Sequence, residues 1–240
     1  MTLLTNLEAY WKFDESSGNA ADATGNGHTG TNTNTATFST GKVNNGAYVA
    51  HASAQYFDVA SSAGLNFTGD FSVSGWFYFT VTNQANMMAS RGWDAAQAGH
   101  NWWFYYPGNN TISILISNGT VENVPTWAWT PSSATWYHIA MVYTASAGQV
   151  ELFIDGTSQT AKTGFPTTIN NTSKSTVIGN LLNNLGSDEG VSFGGRIDEL
   201  GIWTRVLSSS EITQLYNGGS GLQYPFGTGS TISTQLMMGV

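Results

Sequence analysis

The 240-residue chain has no cysteine, few charges and no long apolar run, and each absence removes a class of function. Without cysteine there are no disulfides, no thiolate nucleophile and no cysteine-ligated zinc. That absence leaves the compartment open. Only 9% of residues are charged, with seven Lys and Arg against fifteen Asp and Glu and a formal net charge of −8. The basic residues are widely separated, so no basic stripe exists to neutralise a phosphate backbone, which argues against nucleic acid as a partner. No apolar stretch approaches the ~20 residues that span a bilayer, which argues against membrane insertion. The opening Met1-Thr2-Leu3-Leu4-Thr5-Asn6-Leu7-Glu8 lacks the basic n-region and apolar core of a secretory signal. Three settings stay open on that basis: the cytoplasm, an exported protein whose signal has been removed, or a particle released by lysis.

What is present points to strands. Gly 28 with abundant Thr, Ser and Asn suits short strands joined by turns and undersupplies the Glu, Lys and Ala of helices, so the class is all-β. With 40% apolar and 13% aromatic residues the chain can bury a substantial core. Strands are expected at 7–13, 47–49, 55–59, 71–79, 112–117, 120–124, 136–143, 150–154 and 176–179, with Asn118-Gly119 as a type I′ hairpin turn and a second turn at Asp155-Gly156. A count of at least ten strands predicts two packed antiparallel sheets. Residues 19–41 read as a long polar loop. One further strand, at 194–207, carries the acidic pair Asp198 and Glu199 between Ile197 and Leu200. It leads into the single convincing helix, where Ser208 as N-cap and Glu211 at the third helical position form a capping box and Gly218 and Gly219 end the element. Residues 1–220 read as one domain and 221–240 as a Gly/Ser/Thr-rich tail whose apolar end, Leu236, Met237, Met238 and Val240, suggests docking on a partner.

Two groups of residues carry chemistry. Trp93, His100, Trp102, Trp103, Tyr105, Tyr106, Trp127 and Trp129 fall where periodicity is broken by Gly and Pro, beside Asp94, Asn101, Asn109 and Asn110. Exposed rings next to short polar groups hold sugars, the ring covering C–H faces and the amides bonding hydroxyls. Trp11, Trp76, Trp136 and Trp203, on strands, are expected in the core. Separately, Asp22-x-Thr24-x-Asn26-Gly27-His28 alternates oxygen side chains around a glycine, like the first half of a calcium loop, but Thr33 stands where an EF-hand needs its bidentate Glu. A hard cation there needs a carboxylate from elsewhere in the chain.

The order Tyr10-Trp11-Lys12-Phe13-Asp14-Glu15, Asp22-Ala23-Thr24-Gly25-Asn26-Gly27-His28, Phe71-Ser72-Val73-Ser74-Gly75-Trp76, Trp136-Tyr137-His138-Ile139-Ala140, Leu152-Phe153-Ile154-Asp155-Gly156 and Gly195-Arg196-Ile197-Asp198-Glu199-Leu200 resembles the concanavalin A-like lectin/glucanase superfamily, in its laminin-G-like jelly-roll branch. The resemblance runs over roughly residues 7–218. It implies a two-sheet antiparallel jelly-roll sandwich with one short C-terminal helix, frequent calcium binding, and use as a glycan- or protein-binding module. By that carry-over Asp198 would meet the 22–28 loop at a structural Ca2+, with Asp22, Asn26 and His28 as the other ligands and Glu199 solvated.

Some members of the superfamily hydrolyse glycosides, with two carboxyl groups ~5 Å apart in retaining enzymes. The glucanase motif Glu-x-Asp-x-x-Glu has its nearest counterpart at Arg196-Ile197-Asp198-Glu199-Leu200-Gly201, where Arg replaces the first Glu. Glu151 and Asp155 are wrongly spaced, no Gly-x-Ser-x-Gly elbow occurs, and His28, His51, His100 and His138 form no i, i+4 zinc pair. The expected protein is therefore not an enzyme. It is expected to be a lectin-like module displayed on a virion surface, such as that of a phage, or otherwise extracellular, with glycan adhesion as its activity; the alternative is a structural decoration or assembly protein of a virion without sugar binding. Its partners are a glycan or cell-surface polysaccharide through Trp93, Asp94, Asn101, Trp102, Trp103, Trp127 and Trp129, and other virion or surface proteins through residues 221–240.

Overall fold

The structure, a computed structural model, describes residues 2–93, 99–183 and 186–227. Its strands form two antiparallel sheets. The first runs in the order Thr157–Ser158, Gln149–Ile154, Thr135–Thr144, Phe71–Phe79, Gly195–Trp203, Asn45–Val49, Thr37–Thr40, with Leu7–Trp11 on the second half of Gly195–Trp203 and Lys162–Thr163 on Gln149–Ile154. The second runs Glu122–Asn123, Thr111–Ser117, Trp102–Tyr106, Asn86–Arg91, Thr176–Ile178, Tyr56–Val59, Gly30–Thr33, with Thr126–Ala128 on Thr111–Ser117. Hairpin pairs such as Thr135–Thr144 with Gln149–Ile154 alternate with pairs far apart in sequence such as Phe71–Phe79 with Gly195–Trp203, as the jelly-roll expectation requires. The stretch at 19–41 is not one loop. It contributes the edge strands Gly30–Thr33 and Thr37–Thr40, one to each sheet, because alternation in a Thr/Asn-rich segment is too weakly apolar to be read without its partners.

Alternation on the central strand sends Phe71, Val73, Phe77 and Phe79 inward, against Phe104, Ile112, Ile114 and Ile116 of the opposite sheet. Phe77 and Phe104 meet edge to face at 5.9 Å. Gly75 keeps this face open, since a Cβ there would stand 2.8 Å from Leu200 Cδ1. Each buried ring or aliphatic side chain stabilises the fold by ~1.5–3 kcal/mol.

A second cluster covers part of the outer face of the first sheet. Tyr10, Ala140, Val142, Phe153 and Trp203 pack under Leu3, Leu7, Leu207, Ile212, Leu215 and Phe226. The helix Ser209–Tyr216 supplies Ile212 and Leu215, and its expected capping box is present, Ser208 accepting from Glu211 N–H and Glu211 accepting from Ser208 N–H. Asn217, in the left-handed conformation, ends it one residue before Gly218. Arg205 holds Glu211 through hydrogen bonds of 2.7 and 2.9 Å. The segment 221–227 packs on this same cluster, Tyr224 stacking on Tyr10 at 5.3 Å and Phe226 meeting it edge on at 5.2 Å. The start of the expected tail thus belongs to the domain, and residues 228–240 lie outside the described residues.

Three local expectations change. The 118–121 turn has only Gly119 at positive φ, +83°, where type I′ needs Asn118 there too, and Asn118 Oδ1 instead accepts the N–H groups of Thr120 and Val121. Trp136 is half-buried on the outer face of the first sheet, whereas Trp11 is in the inter-sheet core and Trp76 and Trp203 are buried on that outer face under the helix and its flanking segments. Glu199 is not solvated. It takes φ +46° at a bulge between Asp198 and Gly201, where the strand changes register against Phe71–Phe79. The inserted residue lets Ile197, Leu200 and Ile202 all face the core and leaves both carboxyls buried, Asp198 0% and Glu199 4% exposed.

Candidate functional site

On Trp102–Tyr106 the side chains alternate, so Trp102, Phe104 and Tyr106 enter the core while Trp103 and Tyr105 point outward. Trp103 lies opposite Ser90 on one neighbour and Leu115 on the other. Above it, Trp93 stacks on His100 with centroids 4.2 Å apart and planes 14° from parallel, and Trp103 lies 5.4 Å from Trp93 and 5.9 Å from His100. These two tryptophans belong to neither apolar cluster and remain half-buried. His100 is fixed from below. Its Nδ1 lies 2.7 Å from Glu122 Oε2, and its carbonyl accepts from Asn170 Nδ2 at 2.9 Å. Asn101 Nδ2 donates to the Asn170 carbonyl, and Ser117 N–H donates to the Asn101 carbonyl at 2.9 Å. Beside this cluster a pocket of about 210 Å³ is lined by Ser90, Lys174, Val177 and Asn183. One ring on a sheet strand, a second just past the end of the neighbouring strand, an imidazole–carboxylate pair and short polar groups make a surface suited to a polyhydroxylated ligand.

The remaining residues expected at the ligand surface sit elsewhere. Trp102 and Asn101 are fully buried and offer a ligand no surface. The alternation that hides Trp102 exposes Trp103, and the strand start that decides between them was not legible. Trp127 is buried with Nε1 donating to Thr160 O at 2.7 Å, because its strand residue faces the core with Ile112. Trp129 packs edge on against Tyr137 and Phe79. Asp94 lies outside the described residues. The larger groove of about 580 Å³ between the edge strands, lined by Asn19, Asn32 and Phe38 among others, is less suited. Its amides are engaged within the loop, Asn32 bonding Gly18 O and both backbone groups of Ala36 and Asn19 accepting from Asn32 N–H.

The four residues expected around an ion do not converge. Asp22 Oδ1 accepts from Tyr10 N–H, Thr24 N–H and the Thr24 hydroxyl, and Oδ2 accepts from His28 N–H, so its oxygens close the loop on itself. Asn26 Nδ2 donates to Glu8 O, and His28 Nε2 lies 2.7 Å from Glu8 Oε1. Asp198 instead accepts from Lys42 and Val43 N–H at 2.7 and 2.8 Å, holding the 41–44 turn. Among the described residues no three acidic or imidazole side chains group closely enough to hold a metal.

Asp198 and Glu199 nevertheless form an unusual pair. Asp198 Oδ1 and both Glu199 oxygens are buried without a hydrogen-bond partner. Burial, offset in part by the 41–44 turn amides, pushes the Asp198 carboxyl up to about 9. Burial also raises Glu199, to about 7, and the Asp14 charge adds to it. The Tyr10 hydroxyl lies near enough to Glu199 to lower that value, yet it does not meet hydrogen-bond geometry. Buried charges without partners are costly, so three carboxyl oxygens of this pair are left wanting a counter-charge or a proton.

Two Ser–His contacts exist among the described residues: Ser62 Oγ to His28 Nδ1 at 3.3 Å, with Glu8 Oε1 2.7 Å from His28 Nε2, and Ser74 Oγ to His138 Nε2 at 2.8 Å. Ser74 and His138 are both buried, His138 Nδ1 has no partner among the described residues, and the Asp155 carboxylate accepts the His138 backbone N–H rather than the ring. Burial drives His138 down to about 3, so the ring is neutral and sealed from substrate.

Comparisons with known proteins follow the fold. A family model described as the concanavalin A-like lectin/glucanases superfamily matches residues 51–213, more than half of the chain. Domain 4 of an extracellular GH43 arabinanase from Geobacillus stearothermophilus, solved with arabinotriose, is similar with a TM-score of 0.67 and 23% identity, covering 87% of this chain and 97% of that one. The binding domain of Paraclostridial Mosquitocidal Protein 1 is similar with a TM-score of 0.67 and 16% identity over 89% of this chain and 52% of that one. The botulinum neurotoxin serotype D ligand-binding domain, solved with N-acetylneuraminic acid, gives 0.65 and 13% identity over 89% and 51%. The chain spans about half the length of the two toxin domains. No curated protein matches the sequence.

Proposed function

We propose, from the premise that this chain belongs to the concanavalin A-like lectin/glucanases superfamily, that it is a non-catalytic module binding glycans through the outer face of its second sheet. The observation that carries the reading is the Trp93–His100–Trp103 cluster, aromatic surface left outside both apolar clusters and braced from below by Glu122 and Asn170. A pyranose or furanose would lay its C–H face on the Trp103 ring, with Glu122 and the Ser90 pocket bonding its hydroxyls. The sugar-bound relatives of the same fold support this choice of ligand class. A non-catalytic role is supported by the sealed Ser74–His138 contact and by the adjacent, buried placement of Asp198 and Glu199, which cannot flank a glycosidic bond.

A structural Ca2+ belongs to the same proposal, with Asp198 and Glu199 rather than Asp22, Asn26 and His28 as its side-chain ligands. Bound there, the ion would supply the positive charge that the pair lacks. Asp198 would keep the 41–44 turn on one oxygen and present the other, and Glu199, aimed by the bulge, would present both.

The test is a glycan array probed with the wild-type chain and Trp103→Ala, in calcium and in chelator. The expected result is binding of a defined glycan group that Trp103→Ala removes. Binding that Trp103→Ala leaves intact, or none to any glycan, contradicts the proposal.

A further inference from the structure

We propose a second site, specific for a carboxylated sugar, on the outer face of the first sheet around Arg196. The register sets one row of side chains across this face: Trp136 opposite Tyr78, Tyr78 opposite Arg196, and Arg196 opposite Tyr48. Directly opposed side chains in a sheet have Cβ atoms ~4.5–5.5 Å apart, so the guanidinium stands between two tyrosines. It lies 5.1 Å from the Tyr78 ring centroid, and Tyr78 and Trp136 are 5.4 Å apart. All four side chains are half-buried, because the helix and the 221–227 segment cover the part of this face around Tyr10, Trp76, Phe153 and Trp203 and stop short of this row.

Among the described residues Arg196 has no salt bridge, and its Nε is buried without a partner. In a chain with seven Lys and Arg and a net charge of −8, a cation held between rings and left without a carboxylate is conspicuous. The next row repeats the pattern, Lys42 Nζ lying 4.5 Å over the Trp76 ring. Lys42 is close enough to Asp155 to offset part of the burial that raises that carboxyl, so Arg196 is the cation this face holds for a ligand. The fork of an arginine matches a planar carboxylate with two parallel hydrogen bonds, while the Tyr78 and Trp136 rings match the C–H face of the sugar that bears it. An uncharged glycan would use the rings but leave the guanidinium unpaired. The ligand class is therefore a uronic or sialic acid unit. This site shares with the second-sheet site only the premise that the chain binds glycans.

The experiment titrates trigalacturonic acid and sialyllactose, each against its neutral counterpart, trigalacturonic acid methyl ester and lactose. It uses the wild-type chain, Arg196→Gln, Arg196→Lys, Trp136→Ala and Trp103→Ala, with melting curves confirming that each variant is folded. We expect at least one carboxylated sugar to bind more tightly than its neutral counterpart, with about a tenfold loss in Arg196→Gln, partial retention in Arg196→Lys, weakening by salt, and no change in Trp103→Ala. The site is overturned if acid and neutral forms bind alike, if Arg196→Gln leaves acid binding intact, or if Trp103→Ala abolishes it. Absence of any acid binding overturns it too, while neutral-sugar binding lost in Trp103→Ala would still leave the second-sheet site standing.

Discussion

Asp198→Asn should change sign with calcium. In the cation-free protein both buried carboxyls are raised, Asp198 from 3.8 to about 9 and Glu199 from 4.5 to about 7. A group raised in the folded state keeps its proton longer there than in the unfolded chain. Its contribution is complete below the unfolded value and drains away as pH climbs toward the folded one, at about 1.4 kcal/mol per pH unit per group. Between pH 5 and pH 7 the pair therefore removes on the order of 3–5 kcal/mol, which lowers the melting temperature of a chain of this size by on the order of 10 °C. Asparagine keeps the oxygen that accepts from Lys42 and Val43 and discards the charge. In chelator at pH 7 the variant should melt higher than wild type, with a flatter pH dependence. By pH 7 the Asp198 charge alone costs wild type ~4 kcal/mol that asparagine recovers, so the sign reverses only where calcium outweighs it: at about 10,000 times its Kd wild type gains ~5.5 kcal/mol that the variant loses with its anionic ligand, and the variant should melt lower. Scanning calorimetry from pH 5 to pH 8, with and without chelator, reads both signs. The same sign in both conditions would refute the reasoning.

Gly41→Ala should destabilise the protein strongly, since its Cβ would stand 2.4 Å from Asn45 O and 2.6 Å from Asp198 Oδ2; urea unfolding measures the loss. Ser208→Ala removes one half of the capping box and should cost ~1 kcal/mol in the same assay. Glu211→Gln breaks a pair whose side chains are both under 10% exposed, and the cost should be about 3 kcal/mol at neutral pH. Arg205 holds the Glu211 carboxyl down to about 2, so this contribution is present above the unfolded value and lost as pH falls toward 2; the variant's acid limb between pH 4.5 and pH 2 should be flatter by calorimetry.

Features set by short-range chemistry were legible. The Ser208–Glu211 cap needs only residues three apart, and the Asp155-Gly156 turn needs two residues at positive φ, found at +49° and +73°. The clearest strand, Phe71–Phe79, announced its inward face by alternation alone. Features set by partners distant in sequence were not. The bulge at Glu199 arises because Gly195–Trp203 is paired on both edges by strands more than a hundred residues away, and nothing local distinguishes a bulged glutamate from a solvated one. Asp22 and Asp198 were joined through one ion by resemblance, but each has its own loop to hold. Trp102 and Trp103 are identical in type and adjacent, so only the register of Trp102–Tyr106 separates core from surface. Arg196 stood out only as a residue that spoils a hydrolase motif; its place between Tyr78 and Tyr48 required the sheet.

The central claim concerns the outer face of the second sheet, and chemical-shift mapping with a glycan selected on the array tests it most directly. The account predicts perturbed resonances at Trp93, His100, Trp103, Glu122 and Ser90, with the core resonances of Trp11 and Trp203 unmoved. Perturbations confined to other faces, with the Trp103 ring silent under saturating glycan, would contradict it.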